Sequence, residues 1–204
     1  NALKMKALPG YNIGYADKND TIFYISNGLI PKRAEGYDWS GVVPGNTTKT
    51  LWEETYDIEE LPQVIQPKSG YVYNANHTPF RSSAEDDNPI QELFEPSMGF
   101  ETYDNNRSTR LKALIDQHNT VNYEEFKTIK YDHQYPIPYA FSWMNINHLD
   151  QLNSNNYPEI KLLIDRLQAW DRGAEANSLG AGAFAIFYNQ LRPFYRSLPP
   201  PKIF

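Results

Sequence analysis

The chain has 204 residues, of which 40% are apolar and 14% aromatic, and its formal net charge is −6. The apolar content is enough for a core, and the aromatic richness favours sheet surfaces and apolar pockets over a coiled coil. No basic cluster stands out, which argues against a nucleic-acid partner. The absence of cysteine excludes disulfides, thiolate metal sites and a cysteine nucleophile. No run approaches the roughly 20 apolar residues of a membrane span.

The first half of the chain, residues 1–100, predicts a β-rich and loop-rich part. Tyr11–Ala16 and Thr21–Ser26 predict the two strands of a hairpin, because turn-forming residues 17–20 separate them. Prolines and glycines then predict a long loop over residues 31–68. This loop is expected to be ordered, because it carries tryptophans that a flexible linker would not.

Two further predictions fall in this half. Gly70–Asn74 has the composition of a strand, and residues 82–91 are polar and acidic enough for an exposed loop. The acidic group Glu85-Asp86-Asp87 could bind calcium through its oxygens, with Glu92 and Glu95 added by the fold. The alternating ligands and central glycine of a calcium loop are missing, so a solvated loop is the preferred interpretation.

The second half, residues 101–204, predicts helices. Asp104 is positioned to cap a helix over residues 105–117. Asn122 and Glu125 form a capping-box pattern for a helix over 123–132. We expect Phe126 and Ile129 to face inward there.

Two more helices follow near the end of the sequence. Pro158 suits a first helical turn, and apolar residues repeat at helical spacing from Ile160 to Trp170. A last helix is expected from about Ser178 to Arg192, ending before Pro193. The small residues Gly180–Ala183 at its start permit close packing against another element.

The sequence lacks the motifs of several kinds of catalytic and metal-binding site. The four histidines form no H-x-x-H or H-E-x-x-H pattern, so no histidine metal site is predicted. No G-x-S-x-G turn and no phosphate-binding loop occurs. We expect no cofactor, and calcium at the acidic loop is the alternative left open.

The most informative stretch runs from Gln66 to Pro79 and reads as a strand followed by a turn. Asn74 and Asn76 offer carboxamides there, and a carboxamide NH₂ is a neutral donor suited to a developing oxyanion. The competing interpretation is that both asparagines only organise a turn. Residue chemistry alone favours that second interpretation.

At this stretch the chain resembles the penicillin acylase superfamily, in its aculeacin and acyl-homoserine-lactone acylase branch. The resemblance covers residues 8–192 and rests on motifs in a fixed order. These motifs are Tyr15–Tyr24, Pro31–Arg33, Trp39–Trp52, Glu60–Val64 with Gln66–Tyr71 and the Asn74-Ala-Asn76 turn, Asn105–Arg110, and Ala169–Arg172 with the small-residue helix after Ser178.

The resemblance implies a fold and a mechanism. The fold would be the N-terminal-nucleophile hydrolase sandwich, with layers of helix, sheet, sheet and helix. A precursor of this family cuts itself, and its new N-terminal serine attacks an amide with its own α-amino group as base. The family's oxyanion-hole asparagine maps onto Asn76. Its nearby arginine maps onto Arg107, where an orienting role and an ordinary surface salt bridge are weighed equally.

Three departures from the family pattern limit this implication. Asn1 has no hydroxyl, so either the nucleophilic serine lies upstream of this chain or the lineage has lost it. Residue 66 is Gln where the family often has Asn. His77 and Phe80 stand in a turn that often holds Asn or Asp and then Trp.

We therefore expect an α+β piece of a larger amidohydrolase, an internal part of its large-subunit region that is inactive in isolation. The two halves together would be an incomplete part of one domain. The expected partners are a small N-acyl amide and the rest of the precursor, in the periplasm or outside the cell. Its substrate-binding residues stay unassigned. The alternatives are a non-catalytic member that binds acyl groups or peptides, and a structural domain of an envelope protein.

Overall fold

The computed structural model describes residues 3–5, 9–137, 139 and 146–196. The chain has an α+β architecture with one small antiparallel sheet and several helices. It divides into two compact units, residues 1–104 and 105–204. The sheet lies in the first unit, and the α-helices lie in the second. Among the described residues, no helix is both long enough and apolar enough to cross a membrane.

The sheet of the first unit has three antiparallel strands in the order β1-β2-β3. They are β1 (Tyr11–Ala16), β2 (Ile22–Asn27) and β3 (Gln63–Ile65). The central strand β2 contributes the buried residues Tyr24 and Ile25 to the core. The predicted hairpin is thus confirmed, and a third strand covers its second edge.

The hairpin turn forms because Asp17 bonds its own neighbouring backbone. One carboxylate oxygen of Asp17 accepts from the amides of Asn19 at 2.8 Å and Thr21 at 3.1 Å. These bonds lower the pKa of Asp17, the largest cause being the amide of Thr21. Asp20 takes a positive φ of 60°, which aspartate tolerates better than most residues.

The strand predicted at Gly70–Asn74 is wrong, and the third strand lies at β3 instead. The amide of Tyr73 donates to the carbonyl of Ser82 at 2.9 Å, so this segment pairs locally with the loop that follows it. Gln66 secures β3, because its side chain accepts from the amide of Ile22 at 2.6 Å and donates to the carbonyl of Asp20 at 3.1 Å.

The long loop predicted over residues 31–68 is only partly correct, because strand β3 lies within this range. The carbonyl and amide groups around Pro31 and Thr55 form an isolated β-bridge. The exposed loop predicted at residues 82–91 is only partly correct, because Ser82 and Ser83 are buried. Short 3-10 turns run through the rest: Thr48–Thr50, Ile58–Glu60, Pro79–Arg81, Glu85–Asp87, Gln91–Leu93 and Pro96–Met98.

The described part of the second unit contains four α-helices, joined in places by 3-10 turns. The helices are α1 (Asn106–Ile115), α2 (Tyr123–Lys130), α3 (Lys161–Gln168) and α4 (Leu179–Arg196). The 3-10 turns are Ile146–Gln151, Ser154–Asn156 and Pro158–Ile160. Pro158 thus begins a helical turn as predicted, but this turn is a 3-10 segment that leads into α3.

The N-terminal cap of α1 is Asn105, which corrects the prediction of Asp104. The side chain of Asn105 accepts from the amide of Ser108 at 3.0 Å, and the hydroxyl of Ser108 accepts from the amide of Asn105 at 3.0 Å. Asp104 is engaged elsewhere, in an ion pair with Arg81 at 2.5 Å. The carboxylate that sequence favoured as a cap therefore has a competing cation.

The capping box predicted for α2 is confirmed. The side chain of Asn122 accepts from the amide of Glu125 at 3.0 Å, and the carboxylate of Glu125 accepts from the amide of Asn122 at 2.8 Å. The expected inward face is only partly correct, because Ile129 is half-buried and Phe126 is exposed.

Helix α4 begins where the sequence predicts but continues past Pro193 to Arg196, so the predicted end is wrong. A proline lacks the amide that would bond the carbonyl of Asn189. Its fixed φ of about −65° is nevertheless helical, so the helix can continue at the cost of that bond.

The core of the second unit is aromatic. The rings of Trp170 and Phe184 stack with centroids 5.0 Å apart, and Leu167 and Tyr139 complete the buried cluster. The indole N–H of Trp170 donates to the carbonyl of Gly173 at 2.7 Å, which fixes the ring. Burial raises the pKa of Tyr139 well above its ordinary value.

Gly180 of α4 lies directly against this core. A Cβ atom on Gly180 would overlap Trp170, whereas one on Gly182 would meet no atom. The predicted close packing of the small-residue helix start is therefore confirmed at Gly180.

We expect Gly180→Ala to lower the free energy of unfolding by about 1–3 kcal/mol, because the new methyl group displaces a fixed tryptophan. Gly182→Ala is the matched control. It should be neutral or stabilise by up to about 1 kcal/mol, because alanine is the better helix former. Urea unfolding of both variants checks the prediction, and equal stabilities would contradict it.

Helix α1 is linked to the segment that follows α2 by the ion pair of Arg110 and Asp132. The guanidinium donates to the two carboxylate oxygens at 2.8 and 2.5 Å, and the side chains are only 25% and 15% exposed. The Arg110 hydrogen bonds lower the pKa of Asp132. Two fixed, partly buried bonds of this kind stabilise more than an exposed pair does.

The pKa of Asp132 sets the pH range in which this pair stabilises the fold. A lowered folded-state pKa contributes stability above the unfolded-state pKa of about 4, and that contribution is lost as the pH falls through the folded-state pKa. We expect Asp132→Asn to destabilise by about 1–2 kcal/mol at pH 7 and to match the parent chain in strong acid. Urea unfolding across pH measures this difference. Asp116→Asn, at an exposed pair with Lys112, is the control and should shift stability by less than about 0.5 kcal/mol.

Candidate functional site

The candidate site is the turn Asn74–His77 in the first unit. Asn76 has a φ of +54° and an exposed side chain. Its amide donates to the side-chain oxygen of Asn74 at 3.0 Å. Asparagine is among the few non-glycine residues that tolerate this left-handed backbone. The backbone therefore fixes the position from which the carboxamide of Asn76 projects.

His77 closes the same turn from the other side. Its Nδ1 accepts from the amide of Ala75 at 3.1 Å, and its Nε2 lies 2.8 Å from the carbonyl oxygen of Arg81. The ring is 2% exposed and stacks on Tyr73, with centroids 4.9 Å apart. The successive amides of Ala75 and Asn76 are thus both held by side chains of the turn.

The turn is also connected to the sheet through Asn74. Its side-chain NH₂ lies 3.5 Å from the hydroxyl of Tyr24, a weak contact, and that hydroxyl donates to the side chain of Asn12 at 2.9 Å. Tyr24 is 1% exposed, and burial raises its pKa, so it stays a neutral donor. Asn74 therefore brings the turn close to the central strand β2.

The residues after the turn are buried. The amide of Thr78 donates to the carbonyl of Tyr103 at 3.3 Å, and the Thr78 hydroxyl accepts from the amide of Phe80 at 3.3 Å. Phe80 packs against Phe94 and Phe100, with ring centroids 5.4 and 6.4 Å away. The departure from tryptophan at residue 80 therefore leaves an aromatic core position filled.

The segment before the turn is held by Asp87. Its two carboxylate oxygens accept from the amides of Lys68 at 3.0 Å and Ser69 at 2.8 Å, and the Ser69 amide is the largest cause that lowers the pKa of Asp87. Among the residues the structure describes, no group of three or more histidine or acidic side chains could hold a metal ion. Calcium binding at this loop stays an untested alternative.

Arg107, the second predicted site residue, lies in the second unit. It is exposed, in the first turn of α1, and that turn holds no acidic residue. A cation at a helix N-terminus opposes the helix dipole, which is a small unfavourable term at an exposed position. Its approach to Asn76 stays a prediction, since the two residues belong to different units.

Comparison with known proteins identifies the family of this chain. The family model described as penicillin amidase matches residues 1–199 of the chain. This chain belongs to the penicillin amidase family. The resemblance of the sequence motifs to the penicillin acylase superfamily is thereby confirmed. The narrower assignment to the aculeacin and acyl-homoserine-lactone acylase branch stays a prediction.

Two known proteins are similar to this member of the penicillin amidase family. Penicillin G acylase from Escherichia coli is 35% identical over 103 residues, which are 50% of this chain and 11% of that protein. The solved structure of a thermostable penicillin G acylase from Alcaligenes faecalis superposes with a TM-score of 0.58 at 20% identity. That superposition covers 94% of this chain and 33% of the other. At this identity the structural likeness establishes the fold alone. The chain spans only part of the length of both proteins.

Sequence reasoning overlooked the residues that build the turn of this penicillin amidase family member. From the sequence, His77 is noted only as a departure from the family pattern, and Tyr24 is predicted only to lie in a strand. The bond to the Ala75 amide is local but has no recognised sequence signal, because the known side-chain turn motifs use Asn, Asp, Ser or Thr. The contact with the Arg81 carbonyl depends on the following 3-10 turn and is not visible in the sequence.

Proposed function

We propose that this chain carries the oxyanion-binding part of an amidohydrolase that cleaves N-acyl amides, with Asn76 as a side-chain donor. The observation that supports this proposal is the turn itself. Asn76 is exposed and held at a positive φ, and the amides on its N-terminal side are both bonded. A fixed donor stabilises a developing negative charge better than a mobile one, because it needs no reorganisation during the reaction.

The proposed chemistry follows the N-terminal-nucleophile mechanism of the family. A serine outside residues 1–204 adds its oxygen to the amide carbonyl, and its proton passes to its own α-amino group. The carbonyl oxygen becomes an oxyanion, which accepts a hydrogen bond from the Asn76 NH₂. The amine then leaves with that proton, and water cleaves the acyl-enzyme ester to release the acid. The α-amine suits this role because its pKa is about 7.7–8.0.

The proposed substrate is a small N-acyl amide of the penicillin, acyl-homoserine-lactone or acylated-peptide type. The penicillin G acylases similar to this chain make an acyl amide the natural class. We place the enzyme in the periplasm or outside the cell by the same resemblance. The four-layer sandwich of the N-terminal-nucleophile fold is part of this proposal.

Arg107 is proposed to orient either Asn76 or the nucleophile's amine through its planar guanidinium. This proposal rests on the family resemblance, in which the arginine near the oxyanion asparagine maps onto Arg107. A guanidinium presents several donors in a fixed fork, which suits orientation of a carbonyl oxygen.

The role of Asn76 is tested by Asn76→Gly and Asn76→Asp in the full-length enzyme. Glycine accepts the positive φ, and aspartate keeps the shape, but neither side chain donates to an oxyanion at neutral pH. We expect each variant to lower kcat by about 10²–10³-fold on an N-acyl amide, with little loss of stability.

Asn46→Gly, which removes another exposed asparagine, is the matched control and should keep parental kcat. Steady-state kinetics with thermal melts measures all three variants. Undiminished turnover in Asn76→Gly would remove Asn76 from the mechanism.

The role of Arg107 is tested by Arg107→Lys and Arg107→Gln. An orienting role requires the fork, so lysine should be nearly as poor as glutamine, with kcat reduced by about 10-fold or more. An ordinary surface cation predicts the opposite, namely parental kcat in the lysine variant. Single-turnover acylation rates separate these outcomes.

A further inference from the structure

We propose that His77 is a positioning residue for Asn76, acting as a neutral imidazole with its proton on Nε2. This inference rests on the proposed function, because it specifies what holds the proposed oxyanion donor in place. The ring neither contacts substrate nor transfers a proton in this proposal. It holds the backbone of the turn that presents Asn76.

The two neighbours of the ring determine its protonation state. The carbonyl of Arg81 can only accept a hydrogen bond, so Nε2, 2.8 Å away, must carry the proton. The amide of Ala75 can only donate, so Nδ1, 3.1 Å away, must be unprotonated. Both contacts are satisfied together only by the neutral imidazole with Nε2–H.

The ring is also fixed in orientation. It is 2% exposed and stacked on Tyr73 at an interplanar angle of 26°. A flipped ring would place carbon atoms against the amide of Ala75 and the carbonyl of Arg81, and both hydrogen bonds would be lost. Packing and hydrogen bonding therefore favour the same placement of Nδ1.

This geometry excludes His77 as a general base. Both ring nitrogens are engaged with backbone groups, and the ring is buried. A base needs a free nitrogen within reach of the proton it removes. The function left to His77 is to hold the peptide of Ala75.

That peptide matters because Asn76 follows it in a strained conformation. The left-handed φ of Asn76 is retained when surrounding contacts over-determine the turn. Asn74 holds the amide of Asn76, and His77 holds the amide of Ala75. Loss of the bond from His77 removes one of these two constraints, and the carboxamide of Asn76 then samples more orientations.

Three substitutions in the full-length enzyme separate the two hydrogen bonds of His77. In His77→Asn, the side-chain oxygen replaces Nδ1 as acceptor for Ala75. In His77→Gln, the longer side-chain amide replaces Nε2 as donor to the carbonyl of Arg81, but no acceptor remains for the amide of Ala75. His77→Phe keeps a ring on Tyr73 and loses both bonds.

We expect kcat to fall by about 10-fold to 100-fold in the glutamine and phenylalanine variants, with KM within about twofold of the parent. The asparagine variant should keep most of the parental kcat, because it keeps the acceptor for the amide of Ala75. His133→Phe, the same change at an exposed histidine of the second unit, serves as control and should keep parental kinetics. A merely structural role predicts that kcat follows the folded fraction, with no advantage of asparagine over glutamine.

A second measurement does not depend on activity. Nitrogen-15 NMR of histidine-labelled protein should show His77 as the Nε2–H tautomer, and the Ala75 amide should be protected from exchange in the parent and asparagine variants but not in the glutamine variant. An Nδ1–H tautomer, or a glutamine variant as active as the asparagine variant, would overturn the role of His77. An inactive parent enzyme with the expected NMR result would instead refute the proposed function. The role of His77 in holding the turn would still be supported.

Discussion

Two consecutive backbone amides, those of Ala75 and Asn76, are each held by a side chain of the same short turn, and the candidate site depends on this pair of bonds. Asn74 supplies one acceptor and His77 the other, so a residue at φ +54° is held without glycine. The consequences extend outward in both directions. Asn74 approaches Tyr24 of the central strand, and His77 reaches the carbonyl of Arg81 in the next turn. The turn that presents the exposed carboxamide of Asn76 thus contacts both the sheet and the following loop.

Local chemistry explains which parts of the fold were predictable from the sequence. The Asp17 turn, the Asn122 capping box and the close approach at Gly180 each depend on residues that are near in sequence or on the absence of a side chain. The sequence predictions are wrong where a residue distant in sequence determines the local structure. Asp104 does not cap α1 because Arg81 holds it, and residues 70–74 do not join the sheet because Gln66 and β3 occupy that edge. Phe126 is exposed although its spacing predicts an inward position.

The candidate site shows the same division. Residue chemistry identified Asn76 as a turn asparagine, and the structure gives it that conformation. Its proposed catalytic role comes from the family resemblance. The two ideas are compatible, because a donor must first be fixed before it can stabilise charge. His77 illustrates what the sequence could not supply. Its proposed positioning role follows from burial and from two backbone partners, and the contact with the Arg81 carbonyl depends on the path of residues 78–81.

The central claim is that this turn presents Asn76 to an oxyanion. Its most direct test is a crystal structure of the full-length enzyme with a tetrahedral acyl analogue, such as a boronate, bound to the nucleophile. The account predicts the Asn76 side-chain nitrogen about 2.7–3.1 Å from the analogue's oxyanion oxygen, with the His77 contacts intact. An oxyanion oxygen bound wholly by other donors, with Asn76 turned away from it, would contradict the account.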